Sequence, residues 1–270
     1  MEKLITLNTG NVMPVLGLGL YKSGEDTASS IRTAVQMGYR LFDTASAYKN
    51  EEQTGAGIRS CGLARDDLFV TTKVWNTAQR IGDIEGAFSR SLERLGLDYV
   101  DLYLIHWPVP GCYLETWRAM EKIYRSGRAR AIGVSNFSEA ELRDLMEHSD
   151  VMPAVNQIEY HPLWNRDPLR TFCQDSGIAV QAYAPLARGA YLDRDILVRM
   201  AEKYHRSTAQ IGLRWLVQKG AAVIPKSVRP DRLLENSQIF DFELEEAEMT
   251  AIDGLNENFR AANIPDDLRI

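Results

Sequence analysis

The chain has 270 residues, 45% of them hydrophobic and 25% charged, with a formal net charge of -6. That is the make-up of an ordinary globular protein, and the lack of a basic block argues against a nucleic-acid-binding surface. Cys61, Cys112 and Cys173 are widely spaced with no CxxC or Cys/His pattern, so no metal site is expected and reduced thiols point to the cytoplasm.

The first residues, MEKLITLNTG, lack the apolar core of a signal peptide. No run approaches the roughly 18 apolar residues of a membrane span. LITL, TGN and VMPVL read together as a small hairpin. VLGLGL is then the first strand of the main body, and TASSIRTAVQMGY a helix ending near Gly38. RLFD is a strand, NEEQTGAGIRSC a helix stopped by Gly62, and DLFVTTKVW a strand. In IEGAFSRSLERLG, Ile84, Phe88, Leu92 and Leu95 recur at helical spacing. The strand VDLYLIHW and the amphipathic helix LETWRAMEKIYRSG follow, then the strand RARAIGVSNF. SEAELRDLMEHS has Ser138 with Glu141 three residues on, a capping box. PAVNQIEY is a strand, DPLRTFCQDSG a helix with Pro168 early in it, and IAVQAYAPL a strand. Two helical pieces, DILVRMAEKYH and TAQIGLRWLVQKG, lead to the strand AAVIPKS and a short helix opened by Pro230.

Eight β–α units in a row imply a parallel sheet, and in this length a closed (β/α)8 TIM barrel. We therefore expect one barrel domain over residues 1–270, with an N-terminal β-hairpin and a short C-terminal tail. A doubly wound open sheet competes less well. It would carry a Gly-rich fingerprint at its first strand, and Gly17-Leu18-Gly19 has no third glycine at the required spacing.

In a barrel, functional side chains gather at the carboxyl ends of the strands. Here those ends carry Asp43, Lys73, His106, Ser135 with Asn136, then Asn156, Gln157 and Glu159, Tyr183, and Lys226 with Ser227. Each is costly to bury unpaired. Asp43 and Lys73 end adjacent strands and can pair. Tyr48, in the loop above, can reach the same ammonium. A unit charge about 4 Å away at an effective dielectric of ~20 is worth roughly 4 kcal/mol. That would draw the phenol from near 10 towards neutrality. His106 on the next strand can donate to an oxygen held between it and Tyr48, giving a two-donor pocket for a developing alkoxide. Lys73 could instead form a Schiff base, as in a lyase, but a carboxylate partner keeps it protonated. Lys226, Ser227, Arg229 and Arg232 surround the last strand end and a helix start, where barrels hold phosphates. With Tyr183 as a flat stacking face and Asn136 and Gln157 as an amide pair, the set suits a nicotinamide nucleotide.

The stretches MPVLGLG, GYRLFDTASAYKNE, VTTKVW, LDYVDLYLIHWP, IGVSNF, NQIEYHP, AYAPL and IPKSVRPDRLLEN resemble the aldo-keto reductase family along almost the whole chain. The likeness is to bacterial and protozoan members of the diketogluconate reductase and prostaglandin F synthase kind. The resemblance implies a (β/α)8 barrel and a catalytic tetrad of Asp43, Tyr48, Lys73 and His106. It implies NADPH-dependent reduction of aldehydes and ketones by direct hydride transfer, with Tyr48 as general acid. Ser135, Asn136 and Gln157 would hold the carboxamide and Tyr183 would stack on the ring. Asp43 would complete the cofactor site, the loop from Leu186 to Gly189 would follow the pyrophosphate, and Lys226, Ser227 and Arg232 would grip the 2′-phosphate. Glu235 and Asn236 would face the adenine. Tyr21, Tyr48, Trp75, His106 and Trp107 would line the mouth for a small carbonyl substrate. The family habit is a monomer, with no nucleic-acid or membrane partner and no metal.

Two positions depart from the family pattern: Tyr21 stands where many relatives carry Trp, and Ala184 where Ser is usual. The segment after Asn256 is short, which leads us to expect an open pocket. A redox-sensing NADP(H)-binding regulatory subunit is the alternative function, and the intact tetrad opposes it.

Overall fold

The computed structural model describes residues 4–268. The first apolar runs form the expected hairpin: β1 (Leu4–Thr6) pairs antiparallel with β2 (Val12–Pro14), with Leu4 opposite Pro14. Eight parallel strands then follow in chain order, each bonded to the next. They are β3 (Gly17–Gly19), β4 (Leu41–Asp43), β5 (Phe69–Val74), β6 (Leu102–Ile105), β7 (Ile132–Ser135), β8 (Val155–Glu159), β9 (Ala179–Tyr183) and β10 (Ala222–Val223). The ends of this sheet meet. Leu16 bridges Val223 in the parallel sense, the Val223 N–H donates to the Val15 carbonyl at 2.7 Å, and the Gly19 N–H donates to the Pro225 carbonyl at 3.2 Å. The sheet is a closed (β/α)8 barrel.

The seam explains Gly17-Leu18-Gly19 without any nucleotide fingerprint. A Cβ on Gly19 would stand 2.8 Å from the Ile224 carbonyl oxygen, and one on Gly17 would collide with the Leu41 side chain. Gly19 thus lets the first and last strands close, and Gly17 makes room for Leu41 on the neighbouring β4.

The helices form where the periodicity placed them. Ser138 and Ser207 each close a capping box at a helix start. Two helices went unread in the sequence: Asn76–Ile81, directly after β5, and Glu246–Asp253 near the end. Each is too short to show a clear apolar period.

Alternation along the strands sorts the core into two layers. Leu102 and Leu104 face inward with Leu41, Phe69, Val155, Ala222 and Ile224, under Leu7 and Met13 of the hairpin segment. Tyr103 and Ile105 face outward into the larger cluster beneath the helices. The hairpin therefore plugs one end of the barrel and leaves the strand carboxyl ends for the site.

Buried tyrosines give the fold a titration limit. Tyr39, Tyr103 and Tyr191 are buried, and desolvation pushes each phenol well above its usual 10. Folded, they stay protonated, whereas unfolded tyrosines ionise near 10. The stability linked to them is complete below pH 10 and falls above it, by about 1.4 kcal/mol per tyrosine per pH unit. Thermal melts at about pH 8, 10 and 11 are expected to show a flat Tm and then a steep drop; a flat Tm throughout would refute the assignment.

Candidate active site

Asp43 is the last residue of β4, inward by the alternation that also points Leu41 inside. Lys73 lies near the end of the neighbouring β5. Both are buried. The Lys73 ammonium donates to Asp43 Oδ1 at 2.5 Å, to the Thr44 carbonyl at 2.9 Å and to Tyr48 Oη at 3.5 Å. All three of its protons are thus placed. Because Tyr48 Oη accepts from Lys73, the phenol's own proton points away, towards the cavity that Tyr48 lines.

The electrostatics correct one expectation. The phenol of Tyr48 is not drawn towards neutrality: burial first, then the Asp43 carboxylate, raise it well above 10. The reason is that Asp43 largely cancels the charge of Lys73, while the aromatic wall removes water. Burial also lowers the Lys73 ammonium from its usual value, against the opposing pull of Asp43.

His106 follows β6. Burial, and then Lys73, hold its imidazole well below the usual 6.5, so it is neutral. Its Nδ1 is buried with no partner. A proton there would be an unpaired buried donor, so the single N–H belongs on Nε2, the nitrogen free to face the cavity. The ring stands edge-on to Tyr48 (centroids 5.6 Å apart) and to Trp75 (5.0 Å).

The amide side of the mouth is tightly bonded. Ser135 Oγ donates to the Gln157 carbonyl at 2.8 Å. Asn136, held at a left-handed φ of 66°, donates to the His106 carbonyl and to Ser135 Oγ and accepts from Tyr183 Oη at 2.7 Å. Gln157 Nε2 donates to Asp43 Oδ2 at 2.7 Å. Gln157 lines the cavity, and its Oε1 has no hydrogen-bond partner among the described residues.

The cavity measures about 1290 Å³. It brings together Asp43, Tyr48, His106, Ser135, Asn136, Gln157, Tyr183, Leu186 and Lys226 with Tyr21, Trp75 and Trp107. Lys73 stands behind Asp43 and Tyr48 rather than on the wall. Gly189, Ser227, Arg232, Glu235 and Asn236 do not line this cavity. Glu235 accepts from the Ser207 hydroxyl, and Asn236 is buried within its helix. Of the cations around the last strand end, Arg229 is paired with Asp231 at 2.6 Å; Lys226 and Arg232 have no carboxylate partner among the described residues.

The short tail contributes to the site. Residues 262–267 of the tail form part of the cavity wall. The anchor is Glu159 at the end of β8, buried. Its carboxylate accepts from the N–H groups of Ala261 (2.5 Å) and Ala262 (3.1 Å) and from His161 Nε2 (3.0 Å). Arg260 lies over the rings of Trp107 and Trp164, and Asp267 accepts from Asn76 and Arg80. The tail is short but crosses the mouth. The signal was a carboxylate in NQIEYHP with His161 as a local partner; its other partners, the Ala261 and Ala262 N–H groups and the Arg260 guanidinium at 3.6 Å, lie far along the chain, which no local pattern encodes. Glu159→Ala is expected to leave those N–H groups unpaired, at a cost of roughly 1–3 kcal/mol. Amide exchange over 257–268 should then quicken by about tenfold or more while the barrel strands keep their protection. Unchanged exchange would mean that the clamp does not hold the tail.

A (β/α)8 barrel whose mouth joins a buried Asp–Lys pair, a protonated phenol and a neutral imidazole is a scaffold for oxidoreductase chemistry at a carbonyl oxygen. The sequence matches the aldo/keto reductase family model over residues 15–257, and the chain belongs to that family of oxidoreductases. It is 46% identical to the glyoxal reductase of Bacillus subtilis, across 99% of this chain and 98% of that one. A crystal structure of an aldo/keto reductase from Brucella melitensis is 46% identical with a TM-score of 0.91, covering 95% of this chain and 100% of that one. The aldo-keto reductase of Bombyx mori, solved in complex with NADP, is 38% identical with a TM-score of 0.93, covering 98% and 96%. Among the described residues no helix is long and apolar enough to cross a membrane.

Proposed function

We propose that this chain reduces aldehydes and ketones to alcohols with NADPH, Tyr48 acting as general acid. The observation that carries the reading is the donor arrangement at Tyr48: its oxygen takes a proton contact from Lys73, which frees its own proton for the cavity. Neutral His106 supplies a second donor from Nε2. A carbonyl oxygen held by both would be polarised before reduction and receive the Tyr48 proton as the alkoxide forms. The phenolate left behind faces Lys73, whose ammonium offsets its charge. The raised phenol suits the reductive direction, since the acid form persists through neutral pH. Reduction is therefore expected to lose no rate to Tyr48 ionisation between about pH 7 and about pH 9, while alcohol oxidation should climb with pH over that range. A reductive rate that falls steeply there would contradict the assignment.

The residues fit a nicotinamide cofactor. Gln157 Oε1 is a free acceptor on the cavity wall, matched to a carboxamide N–H. Asn136 Oδ1 keeps a lone pair beside its bond to Tyr183, and Ser135 sits beside both. Tyr183 offers a ring face, Leu186 lines the same cavity, and Lys226 on its wall is a cation without a carboxylate partner among the described residues, suited to a phosphate. Ser227 and Arg232 would extend that grip, and Glu235 and Asn236 would flank the adenine, outside the enclosed cavity. When bound, NADPH supplies the hydride that adds to the carbonyl carbon. Tyr21, Trp75 and Trp107 make an apolar aromatic mouth for small carbonyl compounds, and Asp43 holds Lys73 in register.

The test is NADPH consumption, followed by absorbance, with a panel of small aldehydes and ketones. Turnover with at least one carbonyl supports the reading. Tight NADPH binding without turnover on any of them would overturn it and favour the redox-sensing regulatory role.

A further inference from the structure

Gln181 is fully buried in the middle of β9, inside the barrel. Ala179 before it packs on the interior cluster, and Tyr183 after it lines the cavity. Gln181 sits in register between Gln157 on β8 and Ala222 on β10. Its Oε1 accepts from Gln157 Nε2 at 2.6 Å, and its Nε2 reaches only the Met13 sulfur at 3.7 Å, a weak acceptor. A buried amide this poorly repaid on one side is a cost to the fold. A side chain needed only to fill the barrel would be apolar.

What the amide does is fix Gln157. The two protons of Gln157 Nε2 go to Gln181 Oε1 and to Asp43 Oδ2. Both neighbours present oxygen, so the nitrogen of Gln157 must lie between them and its Oε1 must turn to the cavity. Without the Gln181 oxygen, only Asp43 would hold that orientation. A flipped Gln157 would aim oxygen at the Asp43 carboxylate and N–H groups at the cofactor site.

We infer that Gln181 is a positioning residue that sets the Gln157 amide, and through it both the second oxygen of Asp43 and the acceptor facing the carboxamide. The chain of contacts runs from Met13 of the hairpin through Gln181, Gln157, Asp43 and Lys73 to Tyr48. The inference rests on the carbonyl-reductase reading above and adds to it a residue one layer below the strand ends.

Gln181→Met and Gln181→Glu separate positioning from packing. Met fills the space and removes the oxygen acceptor; Glu keeps an acceptor at a site where polar groups are costly. The readouts are Tm, the NADPH dissociation constant from tryptophan fluorescence, and kcat and KM for a reactive aldehyde. The expected result for Gln181→Met is an unchanged or higher Tm, NADPH binding weaker by about tenfold and kcat lower by about tenfold, the loss of one oriented hydrogen bond at each point. The aldehyde KM should stay within about threefold. Gln181→Glu is expected to recover much of the binding and kcat despite a lower Tm. If Gln181→Met binds NADPH and turns over within about twofold of the unmodified chain, the inference is wrong. It is equally wrong if both variants lose function in proportion to Tm. Should the unmodified chain reduce no carbonyl, the reductase reading falls, and the NADPH dissociation constants still decide the role of Gln181.

Discussion

Tyr48→Phe is expected to lower kcat for carbonyl reduction by about 10²–10⁴-fold, the usual contribution of a positioned proton donor. The ring is retained, so its edge contact with His106, its tilted contact with Tyr21 and the shape of the mouth should survive. The NADPH dissociation constant should change by no more than about threefold, since only a hydroxyl at the wall is lost. Tm should rise slightly or hold, because a buried hydroxyl that accepts only a long 3.5 Å contact contributes little stability. The check is single-turnover NADPH oxidation beside fluorescence titration. A Phe variant that keeps more than about a tenth of the rate would remove Tyr48 from the acid's role and pass it to His106, the donor whose ring stands beside it.

Breaking the buried pair is expected to be the largest stability effect in the molecule. Lys73→Met leaves the Asp43 carboxylate with Gln157 Nε2 as its remaining donor, and removing one partner of a buried pair costs about 3–5 kcal/mol. At this chain length that is a fall in Tm of roughly 6–20 °C, with turnover reduced at least about a hundredfold. Joining it to Asp43→Leu should restore most of the Tm, since a matched apolar pair avoids the desolvation of both ions. Activity should not return, because Tyr48 then has no ammonium to hold its oxygen. A double variant as unstable as Lys73→Met alone would show that the charge left unpaired is not the source of the loss.

The barrel and its strand ends were legible because both follow short-range rules. Alternation placed Leu41 and Asp43 on one face, glycine stops and capping boxes such as Ser138–Glu141 bounded helices, and Asp43, Lys73 and His106 fell at successive strand ends. What escaped depended on distance or depth. Gln181 stands in mid-strand, where a reading of strand ends does not look, although a lone glutamine in IAVQAYAPL was the visible sign. Glu159 stands visibly at its strand end with His161 nearby, but its remaining donors, the Ala261 and Ala262 N–H groups, lie in the tail. The direction of the Tyr48 shift is hidden because sequence shows the cation and not the burial; at this wall desolvation comes first and the Asp43 carboxylate adds to it. The 2′-phosphate and adenine roles of Ser227, Arg232, Glu235 and Asn236 rest on the family resemblance alone: these residues lie off the enclosed cavity, the last three on the helix from Pro230 to Ser237, and no rule of strand ends assigns such roles.

The seam between the first and last barrel strands has a consequence for synthesis. On the side away from β4, residues 15–19 meet their partners only when residues 223–225 have left the ribosome. Until then β3 offers an unpaired parallel edge, flat and apolar, and each later strand exposes another in turn. Such edges are templates for pairing with other chains, and long-range parallel closure is slow. The nascent protein is therefore most exposed to aggregation while its catalytic residues are already made, and slower translation or chaperone cover before residue 223 should raise the yield of soluble enzyme more than any gain in final stability.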